Sequence, residues 1–165
     1  MNDSKIIAIA VFNDKKIKGT VEFSEISCSE HIKITINLSG FKKNTTHGFH
    51  IHEAGDLTDS CMGACAHFNP TKCDHGGINS AIRHVGDLGN INADENGNVN
   101  IIIEDDRIRL RGTKFNIIGR SVVVHEDPDD NGLGGFPDSL ITGHAGARLA
   151  CAVIGYSKKM FHNKK

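Results

Sequence analysis

The chain contains ten histidines, and their spacing carries the chemistry. His50 and His52 stand at i and i+2 in the run Gly48-Phe49-His50-Ile51-His52. Alternate residues of an extended strand leave the same face, so both imidazoles project to one side of a sheet. Alone, such a pair reads equally well as a polar sheet face. It is followed, however, by His67, His75, His84 and Asp87 along a glycine-containing stretch that can fold around one ion. Three imidazoles and one carboxylate suit tetrahedral zinc, whose structural sites are closed by nitrogen, sulfur or oxygen ligands. His125 ends the apolar run Val122-Val123-Val124 and can bring another imidazole to the first pair. These ligands exceed the needs of one site, which points to two ions sharing them.

The elements that position these residues are strands. Ile17, Gly19, Val21 and Phe23 alternate with Lys18, Thr20 and Glu22, and Ile32, Ile34, Ile36 and Leu38 alternate with His31, Lys33, Thr35 and Asn37. A period of two predicts half-buried strands. Further strands are predicted over 6–12, 48–52, 87–92, 99–104, 121–125 and 148–156, with turns at Asn13-Asp14 and Glu95-Asn96-Gly97. About eight strands at this spacing suit a β-sandwich or barrel. Two stretches, 53–85 and 126–146, lack the alternation and are polar and rich in Gly, Asp and His. Loops of that length inside a compact domain are usually functional, which places the chemistry there and at the strand ends they flank.

Composition narrows the class. The 165 residues suit one domain with a sizeable core, and 38% hydrophobic with 24% charged residues is an ordinary globular balance. Eighteen glycines against three prolines, with one Tyr and no Trp, suggest many tight turns and an all-β fold. A net charge of -1 gives no footprint for nucleic acid, so no nucleic-acid partner is expected. No stretch reaches the roughly 18 apolar residues that span a bilayer, and the first twelve residues lack the features of a secretory signal. The reading is therefore a cytoplasmic protein with no membrane partner, a domain over 1–156, and a basic tail over 157–165 carrying Lys158-Lys159 and Lys164-Lys165. Five cysteines are an odd count, and in the cytosol they read first as reduced thiols.

The segments Gly48-Phe49-His50-Ile51-His52-Glu53-Ala54-Gly55-Asp56 and Gly143-His144-Ala145-Gly146-Ala147-Arg148-Leu149-Ala150-Cys151 resemble two signatures of the copper/zinc superoxide dismutase family. His67-Phe68-Asn69-Pro70, His75-Gly76-Gly77, Arg83-His84-Val85-Gly86-Asp87-Leu88-Gly89-Asn90 and Val122-Val123-Val124-His125-Glu126 extend the resemblance over nearly the whole chain to Tyr156. The resemblance implies an eight-stranded antiparallel Greek-key β-sandwich or barrel, immunoglobulin-like, that converts superoxide to oxygen and hydrogen peroxide in antioxidant defence. It implies one copper and one zinc ion per subunit: copper on His50, His52, His67 and His125, and zinc on His67, His75, His84 and Asp87. His67 would bridge the two ions and deliver a proton to the departing peroxide.

Further roles follow from the same resemblance. Asp129 matches a carboxylate linking a copper-ligand to a zinc-ligand histidine, and His47 matches a structural histidine behind the copper ligands. Arg148 fits the arginine that positions superoxide, and Cys61 and Cys151 match an intrasubunit disulfide, leaving Cys28, Cys65 and Cys73 free. A homodimer is implied around Gly55, Ile118, Gly119 and Val153. Prolines beside the signature arginine are associated in this family with dependence on a copper chaperone; Ala147 and Leu149 occupy those positions, so the chaperone is predicted to be dispensable. Asp127 and Ile141 stand where the family commonly has lysines, which predicts weak electrostatic steering. The competing readings are a non-catalytic dismutase-like copper-binding domain and a zinc-only domain.

Overall fold

The computed structural model of the protein describes residues 5–162. Eight strands are described: β1 (Ile7–Asn13), β2 (Lys18–Glu25), β3 (Ile32–Ser39), β4 (Thr46–His52), β5 (Asp87–Asn92), β6 (Asn98–Asp105), β7 (Ser121–His125) and β8 (Arg148–Tyr156). They form one antiparallel sheet in the order β5-β4-β7-β8-β1-β2-β3-β6, curled into a nearly closed barrel. β3 lies beside β6 and β4 beside β7, so the chain crosses over twice, as a Greek key requires.

The two halves of the sheet bury different things. In β2 and β3 every second residue points inward, and Val21, Phe23, Ile34 and Ile36 are fully buried. The outer face of this half meets solvent, which is why its alternation is legible. In β4 the residues from His47 to His52 are all buried. Phe49 and Ile51 enter the barrel core, while His50 and His52 leave the opposite face and are covered by the loops. β7 is likewise buried throughout, with His125 at its end.

The turn between β5 and β6 follows from local chemistry. The Asp94 carboxylate accepts hydrogen bonds from the backbone N–H of Asn96 and Asn98 at 2.8 and 2.9 Å. Gly97 has φ +78°, and a Cβ there would collide with the Phe41 carbonyl. Glycine alone meets both conditions without strain.

The stretches 53–85 and 126–146 contain only a 3-10 turn (Ser60–Ala64) and a one-turn helix α1 (Ser139–Thr142) as regular elements. A third strandless stretch, 106–120, was not among the expected loops. Its Ile108, Leu110 and Ile117 are buried, and Asp105 holds its start by accepting from the N–H groups of Arg107 and Ile108. The tail begins with helix α2 (Lys159–His162), whose Lys159 pairs with Glu22 at 2.5 Å. Lys164-Lys165 lie outside the described residues. Among the described residues no helix is long and apolar enough to cross a membrane.

Ile36 pairs with Val21 on one side and Ile101 on the other and is fully buried. Ile36→Ala should cost about 2–5 kcal/mol in denaturant unfolding, the usual range for truncating a core isoleucine. Ile102→Ala, on the outer face at 62% exposure, should stay within about 0.5 kcal/mol. Equal effects would contradict the assigned faces of the sheet.

Candidate metal centre

β4 and β7 pair in register from Phe49↔Val124 to His52↔Ser121, and shifts at Gly48/His50 and Val124/His125 interrupt the ladders beside the histidines. Such irregularities re-aim side chains at strand ends. His67 joins the group because the chain returns along the end of β4, making an isolated bridge to His52.

Hydrogen bonds decide which ring nitrogens remain available. His52 uses Nδ1 on the Cys65 carbonyl at 2.8 Å, leaving Nε2 only 3.3 Å from His125 Nε2. His125 Nδ1 faces the Gly146 carbonyl at 3.3 Å. His50 Nε2 meets Asp129 Oδ2 at 2.6 Å, and its buried Nδ1 has no partner. His67 Nδ1 meets Asp87 Oδ1 at 2.9 Å, and its buried Nε2 has none either. One ligand atom from each of His50, His52, His67 and His125 lies within 4.8 Å of the others. Buried polar atoms are normally paired, so nitrogens left facing one another mark a place for a cation. Burial, with repulsion from neighbouring rings, pushes the pKa of His50 down to about 3 and that of His125 to about 4, and lowers His52 and His67 as well. All four are neutral imidazoles at neutral pH, with lone pairs available to a metal.

A second group gathers on Asp87. His67 Nδ1 and His84 Nδ1 lie 2.9 and 3.1 Å from its Oδ1, and His75 Nδ1 lies 3.0 Å from its Oδ2. Burial alone would raise the Asp87 pKa, but the three imidazoles hold it well below the usual carboxylate range. Burial would likewise lower His75, yet Asp129 and Asp87 on its two nitrogens raise it to about 9. A metal ion there would take the place of that proton, so binding would release it. One atom each from His50, His67, His75 and Asp87 also falls within 4.8 Å. Hydrogen-bond geometry favours His84 over His50 in this group. His50 is engaged with Asp129 through Nε2, whereas His84 Nδ1 lies 3.4 Å from His67 Nδ1 and beside the same carboxylate oxygen.

Asp129 ties the groups together, with Oδ2 on His50 and Oδ1 on His75 at 2.8 Å. Burial opposes its charge, and the two histidines overcome that and lower its pKa. Its own backbone is clamped by Asn90, whose amide oxygen accepts from the Asp129 N–H and whose amide nitrogen donates to the Asp129 carbonyl, both at 2.8 Å. His47 sits behind the centre, between the His125 carbonyl and the Thr45 hydroxyl, both at 2.8 Å, with neither nitrogen directed at the cluster.

Arg148 is held by the loop that the disulfide fastens. It donates to the carbonyls of Cys61 at 2.6 Å and Cys65 at 2.5 Å, and the latter carbonyl also meets His52. Cys61 and Cys151 are bonded across a separation of 90 residues, worth about 4–5 kcal/mol on a chain-entropy account. Cys28 and Cys65 are exposed free thiols and Cys73 is a half-buried one.

Two supporting residues escaped the sequence reading. Besides Asn90, Arg83 is fully buried, donates to the Asp87 carbonyl at 2.8 Å and pairs with Asp105 at 2.5 Å, bracing the second group from behind. Both stand in the motif around Asp87, but the Asp105 that pairs with Arg83 and the Asp129 backbone that Asn90 clamps are distant in sequence, and no local spacing announces them.

Gly143 has φ +68°, and a Cβ there would collide with Asp129 Oδ1 and His75 Nε2. Gly143→Ala should therefore displace Asp129 and weaken metal retention by the Asp87 group about 10–100-fold, as loss of such supporting contacts typically does. Chelator competition measures this. Retention equal to wild type would contradict the role given to Asp129.

The family model described as copper/zinc superoxide dismutase matches residues 17–154. A superoxide dismutase [Cu-Zn] of Paramecium bursaria Chlorella virus 1 is 55% identical over 98% of this chain and 84% of its own length. The corresponding protein of Yarrowia lipolytica is 46% identical over 90% of this chain and 96% of its own, and an extracellular superoxide dismutase [Cu-Zn] of Drosophila melanogaster is 49% identical over 87% and 78%. The crystal structure of the clock protein EA4 superposes with a TM-score of 0.89 at 42% identity, covering 95% of this chain and 98% of that one. The matched span contains both histidine groups, Asp129 and Arg148, and the chain belongs to the copper/zinc superoxide dismutase family.

Proposed function

We propose that the protein disproportionates superoxide, two superoxide anions and two protons giving oxygen and hydrogen peroxide, at a centre where His50, His52, His67 and His125 hold copper and His67, His75, His84 and Asp87 hold zinc. The observation that carries this reading is the ring of His67, which directs Nδ1 into the Asp87 group while its buried Nε2 faces the other histidines unpartnered. Copper, when bound, supplies one-electron chemistry suited to imidazole ligands, whereas zinc has no accessible redox change.

The chain supplies the rest. Arg148, permanently charged and braced on two carbonyls, binds and orients the superoxide anion without titrating. His67 is anchored on its Nδ1 side, which leaves its Nε2 as the atom that could hold a proton and give it to the peroxide product. Asp129 fixes His50 and His75 in orientation, and Asp87 keeps three rings turned toward one point. A non-catalytic or zinc-only domain would have no use for an all-imidazole group beside an anion-binding arginine.

The finer readings have their own support. Gly55 packs against the Gly119 carbonyl and Val153, and exposed Val153 and Tyr156 extend an apolar face there, which suits a homodimer. Three free thiols beside one disulfide suit a cytoplasmic compartment. Arg148 is flanked by Ala147 and Leu149 rather than prolines, which suits copper loading and disulfide formation without a dedicated chaperone.

His125→Ala should abolish superoxide consumption and leave zinc content near one per chain, because His125 contributes to the all-histidine group alone. A copper-loaded variant with near-normal activity would refute the assignment. A second expectation concerns steering. The stretch 126–147 has five acids and no Lys or Arg, and Ile141 is 63% exposed. A unit charge about 10 Å from the approach path is worth about 0.4 kcal/mol at water's dielectric, and about twice that near a protein surface. Ile141→Lys should therefore speed superoxide decay about two- to fourfold at low salt, an advantage that shrinks as the Debye length falls. A wild-type rate that already drops steeply with ionic strength would contradict weak steering.

A further inference from the structure

Arg120, which immediately precedes β7, packs on the two segments that carry His52 and His67. Its guanidinium carbon lies 3.6 Å from the centroid of the Phe68 ring. Its Nε donates to the Asn116 carbonyl at 2.9 Å, and one terminal nitrogen donates to the Glu53 carbonyl at 2.8 Å. Phe68 follows His67, and Glu53 follows His52. The two segments run side by side, joined by Glu53 N–H to the Ala66 carbonyl at 2.9 Å and Phe68 N–H to the Ile51 carbonyl at 2.8 Å. The base of Arg120 is itself fixed, since its carbonyl accepts from the Ile154 N–H of β8 at 2.8 Å.

In such an extended pair, consecutive side chains leave opposite faces. His67 turns inward to the ligands, and Phe68, 4% exposed, turns toward the guanidinium. Whatever pins the Phe68 ring therefore limits how the backbone beneath His67 can rotate. A planar guanidinium lying on an aromatic face supplies both dispersion and cation–π attraction, and the hydrogen bonds to Asn116 and Glu53 prevent it from sliding. A lysine in its place would keep the charge and lose the flat contact.

We propose that Arg120 is a positioning residue for His67, fixing through Phe68 and Glu53 the angle at which His67 presents its two nitrogens to the two ligand groups. This rests on His67 being the shared ligand, as proposed above.

The test uses protein loaded with copper and zinc, with Arg120→Lys and Phe68→Leu made separately and together. Both single variants should alter the copper EPR spectrum and visible band and lose zinc to a chelator about tenfold faster than wild type, within the range seen for residues that orient ligands. The double variant should add little to either single one, because both remove one contact. If Arg120→Lys does not fold, Phe68→Leu alone decides by the same spectra. Spectra and zinc loss equal to wild type, even with a lowered melting temperature, would overturn the proposal and leave Arg120 a structural residue. A wild-type copper spectrum that does not change when zinc is removed would overturn the shared-ligand reading and the proposal together.

Discussion

Two buried ring nitrogens, His50 Nδ1 and His67 Nε2, have no hydrogen-bond partner, and the structure around them is organised by that constraint. Leaving polar atoms unpaired in a protein interior is costly, and crowding six imidazoles and two carboxylates together compounds the cost. Cations placed among them reverse the sign of the problem, because each lone pair then faces a positive charge. The same histidines that oppose folding without metal would favour it with metal, which would couple metal binding to stability.

The fold meets this constraint by dividing labour. One half of the barrel, β1, β2, β3 and β6, faces solvent on its outer side and supplies much of the apolar core. The other half is buried on both faces along β4 and β7, and there the inward residues make core while the outward ones make the site. The loops that cover the second face are tied down at three places: Asp129 with Asn90, Arg83 with Asp105, and the disulfide. The disulfide also holds the loop whose carbonyls aim Arg148, so stability and the substrate-binding role proposed for Arg148 would share one covalent link.

How much of this could be read in advance depended on whether the cause was local. The strands Asp87–Asn92, Ser121–His125 and Arg148–Tyr156 are found with the predicted bounds, and the others differ by one or two residues, since alternation reports which face is buried. The stretch 106–120 carried neither a predicted strand nor the density of Gly, Asp and His of the other loops, and its Ile108 and Leu110 are buried in the core without joining the sheet. That His50 and His52 leave one face of the sheet was legible from strand geometry, whereas their reading as ligands needed the histidines that follow, since the pair alone suits a polar sheet face equally well. The pairing of Cys61 with Cys151 came only through family resemblance, because no spacing rule connects residues 90 apart. Arg83, Asn90 and Arg120 stayed silent for the same reason: Asp105, Asp129 and Phe68, on which they act, are brought near only by the finished fold.

The central claim is that one imidazole, His67, serves two metal ions at once. Anomalous scattering from crystals of the loaded protein, collected at the copper and zinc absorption edges, tests it most directly. The account predicts two peaks, copper among His50, His52 and His125 and zinc among His75, His84 and Asp87, with the ring of His67 between them and a nitrogen directed at each. A single peak, or a zinc peak bound by His50 in place of His84, would contradict it.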